Sequence, residues 1–146
     1  MAKLIRLDIV NGYPVSVVAP AELEQGDMLA VKELATGEYQ SFACELAKAD
    51  SKGMICIHAS VPFGYADNFV ESEFKVAKGD MARAYMLAHG DIVTIAESCV
   101  AESVVVGDTL GLHTSKAGKL AKGGDLFTVI AKENYGGQAS IVIRKH

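Results

Sequence analysis

The sequence lacks tryptophan, long apolar runs and basic clusters, and each absence narrows the range of functions. A membrane-spanning helix needs about 18 to 20 consecutive apolar residues. No stretch approaches that length, so we expect no membrane partner. The net charge is −4, and the longest run of basic residues is Arg144-Lys145. Because nucleic-acid binding usually requires a basic face, we also expect no nucleic-acid partner.

Cysteine is scarce as well. The chain has three cysteines, an odd number, and they are widely spaced: Cys44, Cys56 and Cys99. This pattern indicates free thiols in a reducing compartment rather than a disulfide framework. Arg6 and Asp8 interrupt the apolar N-terminal segment, so we expect no signal peptide and synthesis in a cytoplasm.

The chain is rich in apolar residues, which make up half of its 146 positions, and in glycine, which occurs 14 times. Charged residues account for 22% of the chain. This composition predicts one ordinary folded domain with a hydrophobic core, rather than two domains or a disordered chain.

Five Gly-Asp pairs punctuate the chain, and most precede an apolar or β-branched residue. They stand at 26–27, 79–80, 90–91, 107–108 and 124–125. Glycine reaches positive φ without steric cost, and Asp accepts hydrogen bonds from nearby backbone groups. Each pair is therefore predicted to turn the chain into its next strand. The segment 104–120 (VVVGDTLGLHTSKAGKL) is predicted as a strand-like run, a turn and a β-hairpin.

Between these turns, apolar and β-branched runs predict about ten short strands. We expect an all-β fold with little helix, either a small β-barrel or a β-sandwich, in which residues 21–146 form a single β-rich domain. Residues 69–76 alternate as a strand, whereas residues 81–89 (MARAYMLAH) fit either a helix or a strand.

Residues 1–20 are expected to form an extended N-terminal arm, because Pro14 and Pro20 disfavour a central strand. Asn11-Gly12 predicts a hairpin turn within this range. The segment is too apolar to remain in water, so it must pair with the body or with another chain, in the second case by adding a strand to a sheet edge. The candidate partner interface consists of its apolar residues Leu4, Ile5, Leu7, Ile9 and Val10.

An irregular loop at residues 61–69 supplies a second candidate. It carries Phe63, Tyr65 and Phe69. Aromatic residues are enriched both in cores and at interfaces, so core packing and partner contact both remain open. Phe63 and Tyr65 are the residues that we add to the candidate interface.

No motif for metal, cofactor or phosphate binding stands out, and we expect no metal or cofactor. The histidines are His58, His89, His113 and His146. None belongs to a metal-binding motif, and no glycine-rich phosphate loop is present. His58 follows the apolar positions Ile55 and Ile57, and its side chain is expected to oppose theirs and face solvent.

Two groups of residues could be catalytic, but a structural role explains each of them more simply. Cys99 lies near Glu97 and Glu102, but free cysteine is more often a small buried apolar residue. Glu71 and Glu73 share one face of a strand and fit an acid-base pair, although a solvated strand face explains them more simply. No catalytic residue is therefore assigned.

The second half of the chain carries a family resemblance. It rests on VVVGDTLGL (104–112), the GKL return (118–120) and the closing pair LFTVIAKENYGGQASIVIRKH (126–146). Within residues 90–146 this pattern resembles the head-decoration, or capsid cement, proteins of tailed bacteriophages. Residues 1–89 share only a short Met-Ala-Lys start, an extended arm and β-rich character with such proteins.

The resemblance implies a virion protein without enzymatic activity, synthesised in a bacterial host cytoplasm. Such a protein would bind the outside of the capsid as a homotrimer and fasten neighbouring subunits of the major capsid protein. The residues alone leave two alternatives open. One is a cytoplasmic β-barrel binding module for a small ligand or protein, with residues 60–69 at its lip. The other is a small enzyme that uses Cys99 with a histidine.

Overall fold

The computed structural model of the chain describes residues 3–35, 41–60 and 75–146. The fold is all-β, as the sequence predicts. Within the described residues the one helical element is a short 3-10 helix, Glu97–Cys99. The strands are β1 (Ile5–Ile9), β2 (Tyr13–Val18), β3 (Met28–Leu34), β4 (Ser41–Leu46), β5 (Met54–His58), β6 (Met81–Met86), β7 (Ile92–Ala96), β8 (Thr109–Leu112), β9 (Leu120–Lys122), β10 (Phe127–Tyr135) and β11 (Gln138–Lys145).

These strands form a closed barrel and an open sheet. The barrel has the order β2-β4-β3-β5-β6, and the six-stranded sheet has the order β1-β7-β11-β10-β8-β9. All neighbours in the open sheet are antiparallel. The fold therefore contains a barrel, one of the two predicted architectures, together with an open sheet.

The main hydrophobic core lies between the barrel and the open sheet. Met28 and Ile57 come from the barrel, and Ile95, Phe127 and Ile141 come from the sheet. All five are almost completely buried. A second cluster with smaller side chains belongs to the barrel and includes Val17, Leu29, Val31, Cys56 and Ala84. Small residues suit the narrow interior of a five-stranded barrel.

A recurring turn is formed by the Gly-Asp pairs that precede β3, β6, β7 and β8. In these four turns the glycine has a φ between 88° and 98°, in the left-handed region, which favours glycine because it has no Cβ. The next strand begins directly after each Asp, which confirms the predicted role. At the fifth pair the positive φ lies at Gly123 instead.

The described part of the predicted arm, residues 3–20, lies within the two sheets and not outside them. β1 pairs with β7 at an edge of the open sheet. β2 enters the barrel beside β6 and makes a short parallel contact with β4 at Ser16 and Val17. Pro14 is tolerated because β4 does not pair at that position. The prediction of a hairpin at Asn11-Gly12 is wrong, since the strands on either side join different sheets.

In three other segments the secondary structure can be compared with the one that the sequence predicts. Residues 81–86 form β6, which resolves the helix-or-strand alternative. Residues 104–106 form an irregular connection rather than a strand. Of the predicted strand 69–76, residues 69–74 lie outside the described residues, and Val76 forms an isolated bridge with Leu23.

Candidate partner interface at the edge of the open sheet

β1 forms an edge of the six-stranded sheet, and within the described residues β7 is its one neighbouring strand. The opposite edge, β9, is covered. There, the Ala101 N–H donates to the Leu120 carbonyl at 2.9 Å. The Lys122 N–H donates to a carboxylate oxygen of Glu102 at 2.8 Å. Because the barrel is closed, β1 is the edge that the described part of the fold leaves open to another strand.

The five apolar residues predicted for the interface divide into two groups. Leu4 is buried, and Ile5 and Val10 are partly buried against the main core. Leu7 and Ile9 are 36% and 53% exposed. The first group holds the strand on the body, and the second leaves apolar surface exposed at the edge of the sheet.

The beginning of β1 is held at the turn between β10 and β11. The Leu4 N–H donates to Oε1 of Gln138 at 3.2 Å. A Cβ on Gly136 would lie 2.3 Å from Cδ1 of Leu4, and Gly136 has a φ of 61°. Both the backbone conformation and the close approach of Leu4 therefore favour glycine at position 136.

Arg6 ties the middle of β1 across the outer face of the sheet. Its guanidinium donates to Asp8 and Glu133 at 2.5 Å each, and to Thr94 Oγ1 at 3.0 Å. The guanidinium carbon lies 5.0 Å from the centre of the Tyr135 ring. Glu133 belongs to β10, so the Arg6 and Glu133 side chains together bridge the two strands between them, β7 and β11. Because the ion pairs are partly exposed, their main effect is to position β1 rather than to stabilise the fold.

The end of β1 is held by a buried carboxylate. Asp91 is fully buried, and its oxygens accept the N–H groups of Asn11, Gly12 and Ala88 at 2.8–2.9 Å. Burial opposes ionisation of Asp91, but these three N–H groups outweigh it and hold the pKa of the carboxyl below its ordinary value. The charged carboxylate therefore directs β1 and β2 into separate sheets, which explains why Asn11-Gly12 forms no hairpin.

β1 is thus fixed at its beginning, middle and end, and no strand among the described residues pairs with its outer edge. An edge strand offers unpaired backbone donors and acceptors, and an extended peptide can add to it through main-chain hydrogen bonds. Leu7 and Ile9 would add apolar contacts. Because the strand is already ordered, binding would require little further loss of its conformational entropy.

His58 lies in a buried polar cluster and not on the solvent-facing side that the sequence predicts. Its Nδ1 lies 2.8 Å from the Glu24 carbonyl oxygen, and its Nε2 lies 2.7 Å from Ser60 Oγ. The Gln25 side chain pairs with both backbone groups of Ser60. The turn that contains Glu24 and Gln25 covers the ring, and burial lowers the pKa of His58. The cluster joins the turn before β3 to the end of β5.

Cys99 has the properties of a structural thiol. It is fully buried, and its Sγ lies 3.8 Å from the Gln25 carbonyl oxygen. Burial raises the pKa of this thiol to about 11, which opposes formation of the nucleophilic thiolate. The neighbouring carboxylates have other partners, since Glu97 pairs with Lys132 at 3.1 Å and Glu102 accepts the Lys122 N–H.

Two cavities differ in size: an open one at residues 97–103 has a volume of about 300 Å³, and a much smaller one lies within the fold. The cavity between barrel and sheet has a volume of about 10 Å³ and is lined by residues including Met28, Ile57, Leu87 and Phe127. This volume suits about one water molecule. Within the described residues, no three His, Cys, Asp or Glu side chains come together as a metal site.

Phe63 and Tyr65, with the carboxylate pair Glu71 and Glu73, lie outside the described residues. The predictions for these side chains therefore stay predictions. The positioning roles of Arg6 and Asp91 were missed by the sequence reading. A Gly-Asp pair marks Asp91 as a turn residue, but no local pattern indicates that it reaches Asn11, 80 positions away. No local pattern indicates that Arg6 binds Glu133, which lies 127 positions away in the sequence.

In the parts of the chain that the structure describes, no helix is long and apolar enough to cross a membrane. Comparisons of the chain with protein-family models, with curated proteins and with solved structures find no match.

Proposed function

We propose that this chain is a non-enzymatic virion protein that binds the outer surface of a bacteriophage capsid and stabilises contacts between major capsid subunits. The observation that carries the proposal is the open edge of β1, which is held in place on the body and exposes Leu7 and Ile9. The resemblance of residues 90–146 to capsid cement proteins supplies the class of partner.

The proposed contact is a strand of the capsid protein that adds to β1. Main-chain hydrogen bonds would supply the ladder, and the side chains of Leu7 and Ile9 would enter apolar sites on the shell. The net charge of −4 suits a protein that must not capture DNA. A strand held by Leu4, Arg6 and Asp91 would transmit load from the contact into the body of the fold.

The proposal includes three copies at each capsid site, as the resemblance implies. It also keeps Phe63 and Tyr65 as a second contact with the shell. Synthesis in the bacterial host cytoplasm and absence of a nucleic-acid or membrane partner belong to the same proposal. Counting copies per major capsid subunit on purified particles tests the three-copy stoichiometry directly.

Sedimentation of native lysate tests the capsid proposal. The protein should migrate with large, DNA-filled particles. The substitution Ile9→Lys should then weaken binding to purified particles by about 10- to 100-fold. This range follows from the roughly 1.5–3 kcal/mol gained by burying a large apolar side chain. Val106→Lys is the matched control, since Val106 is 58% exposed but lies outside β1.

Deletion of residues 1–12 is an unsuitable test, because it removes β1 together with the buried side chain of Leu4. Far-UV circular dichroism must show that both lysine variants remain folded. If the protein runs free while particles are present without it, the capsid proposal is wrong. If Ile9→Lys and Val106→Lys bind equally well to particles that carry the protein, β1 is not the contact.

A further inference from the structure

The open edge of β1 raises the question of what covers it when no capsid is present. Exposed strand edges promote unwanted pairing, and natural proteins usually protect them. Every other sheet edge in the described residues is closed: the barrel has none, and β9 is covered by backbone and carboxylate partners at Ala101 and Glu102. As far as the described residues show, a neighbouring copy therefore offers one uncovered strand edge, its own β1.

The charges of β1 are self-complementary, because two antiparallel copies of the strand can place opposite charges across from each other. Its five residues are Ile-Arg-Leu-Asp-Ile, with Leu7 at the centre. In an antiparallel pair centred on Leu7, Arg6 of each copy lies opposite Asp8 of the other copy. Centring the pair one residue earlier or later would place Arg6 opposite Arg6, or Asp8 opposite Asp8. Opposite charges stabilise a cross-strand pair and like charges destabilise it, so a single register is favoured.

We propose that in the free protein two copies pair through β1, antiparallel and with a two-fold axis at Leu7, so that their open sheets become continuous. The inference goes beyond the proposed function, because it names the molecule that pairs with the edge of β1 before the protein binds a capsid.

The faces of β1 agree with this arrangement. Arg6 and Asp8 both contact Thr94 Oγ1, at 3.0 and 2.6 Å, and therefore lie on the same face of the sheet. A two-fold axis perpendicular to the sheet keeps that face continuous between copies, so the opposite charges can meet. Leu7 is directly paired with Val93, a core residue of β7. Two Leu7 side chains at the axis would bury the apolar surface that one copy leaves exposed.

The dimer should be weak and concentration-dependent. β1 is short, and its register with β7 shifts between Leu7 and Ile9, so the contact is limited to the residues around Leu7. Small interfaces of this kind are typical of transient association. A two-fold contact uses the same surface on both copies and closes at two. A capsid strand and a second copy therefore exclude each other on β1, and dimer formation would lower the amount of protein that is competent to bind the shell.

Sedimentation equilibrium over a range of protein concentrations measures the association. The expected mass rises from the 15.5 kDa of one chain towards twice that value. Asp8→Lys places like charges opposite each other on both sides of the axis and should weaken the dimer by about tenfold or more. Asp50→Lys is the matched control, since it makes the same charge change at an exposed loop position and should leave association unchanged.

Cross-linking tests the register independently of charge. In a Cys44→Ser background, Leu7→Cys should form a covalent dimer with a short bis-maleimide, because the axis brings the two positions together. Ile9→Cys, which lies opposite Ile5 in this register, should form several-fold less. Circular dichroism verifies that each variant is folded.

A mass that stays at that of one chain, or that rises to that of three chains, would overturn the inference. Equal cross-linking at positions 7 and 9 would also overturn it. Capsid binding is measured separately on purified particles. A protein that binds capsids but stays monomeric refutes the dimer alone, and a dimer that never binds capsids refutes the capsid proposal alone.

Discussion

The substitution Asp91→Asn removes the charge from the carboxylate that holds the connection between the two sheets and leaves its size nearly unchanged. In the folded protein this fully buried group accepts backbone N–H groups from Asn11, Gly12 and Ala88. An asparagine side chain has one acceptor oxygen and one donor amide. In Asp91→Asn, one of the two carboxylate oxygens that accept backbone N–H groups is therefore replaced by an amide group that donates.

The structure sets the size of the expected loss. If the amide oxygen replaces Oδ2, Gly12 and Ala88 keep their acceptor and the Asn11 N–H loses its own. A buried donor without a partner costs about 1–3 kcal/mol, and the two remaining hydrogen bonds lose the added strength of a charged acceptor. We expect Asp91→Asn to lower the free energy of unfolding by about 2–4 kcal/mol, and Asp91→Ala by about 3–5 kcal/mol.

Urea unfolding followed by far-UV circular dichroism measures this loss, since the chain has no tryptophan. The other Gly-Asp turns supply matched controls. Asp108 is partly exposed and accepts one backbone N–H, from Val105, so Asp108→Asn should cost about 1 kcal/mol or less. Asp80 is exposed in the same kind of turn, and Asp80→Asn should change stability by about 0.5 kcal/mol or less. If Asp91→Asn costs no more than Asp80→Asn, the argument from burial and hydrogen bonding is wrong.

The effect of Asp91 should also depend on pH. Its folded-state pKa lies below the ordinary value, so the folded protein binds this proton less readily than the unfolded chain. The stabilisation is fully present above the unfolded pKa of about 3.9 and is lost as the pH falls through the folded pKa. The difference in stability between the wild type and Asp91→Asn should therefore be constant near neutral pH and shrink below about pH 4. Urea titrations at several pH values measure it.

Two further predictions test the packing of the fold. Gly136→Ala should destabilise the protein by about 1–3 kcal/mol because its Cβ would lie 2.3 Å from Leu4 Cδ1. Gly137→Ala, with a similar positive φ but nothing within 4 Å, isolates the cost of backbone strain in the same urea assay, and an equal loss in both variants would contradict the predicted clash. Burial raises the pKa of Cys56 to about 12 and that of Cys44 and Cys99 to about 11. Cys44, the one partly exposed thiol of the three, should react first with a chromogenic disulfide at neutral pH, and the other two only on unfolding. Rapid reaction of Cys99 in the folded state would refute its assignment as a structural thiol.

The success of the turn predictions has a local cause. At Gly107-Asp108, for example, the left-handed φ of the glycine and the hydrogen bond from the Val105 N–H to Asp108 involve residues within three positions of each other. Such chemistry is present in the sequence itself. The prediction at Asn11-Gly12 failed because Asp91, 80 positions away, supplies a competing acceptor. His58 was misplaced for a similar reason, since the turn at Glu24 covers the face of β5 that was expected to meet solvent.

The candidate interface stays a prediction, but the structure shows which of its residues are buried. The apolar content of residues 4–10 correctly indicates that the segment cannot remain in water. Periodicity could not tell which of those side chains would pack on the body, because that depends on the strand beside which β1 lies. Leu4 is buried beside Gly136 at the turn between β10 and β11, and Ile9, which pairs with Ile92 of β7, stays exposed. The predictions for Phe63 and Tyr65 remain untested.

Local sequence patterns were enough to predict the all-β class, the turns at the Gly-Asp pairs and the need of the N-terminal segment for a strand partner. These properties follow from side-chain periodicity and from backbone chemistry over a few residues. Three other features depend on the three-dimensional arrangement: five strands close into a barrel, β1 joins the other sheet, and no described strand pairs with its outer edge. Those outcomes depend on contacts between distant parts of the chain, such as Arg6 with Glu133 and Asp91 with Asn11, whose partners no local pattern identifies.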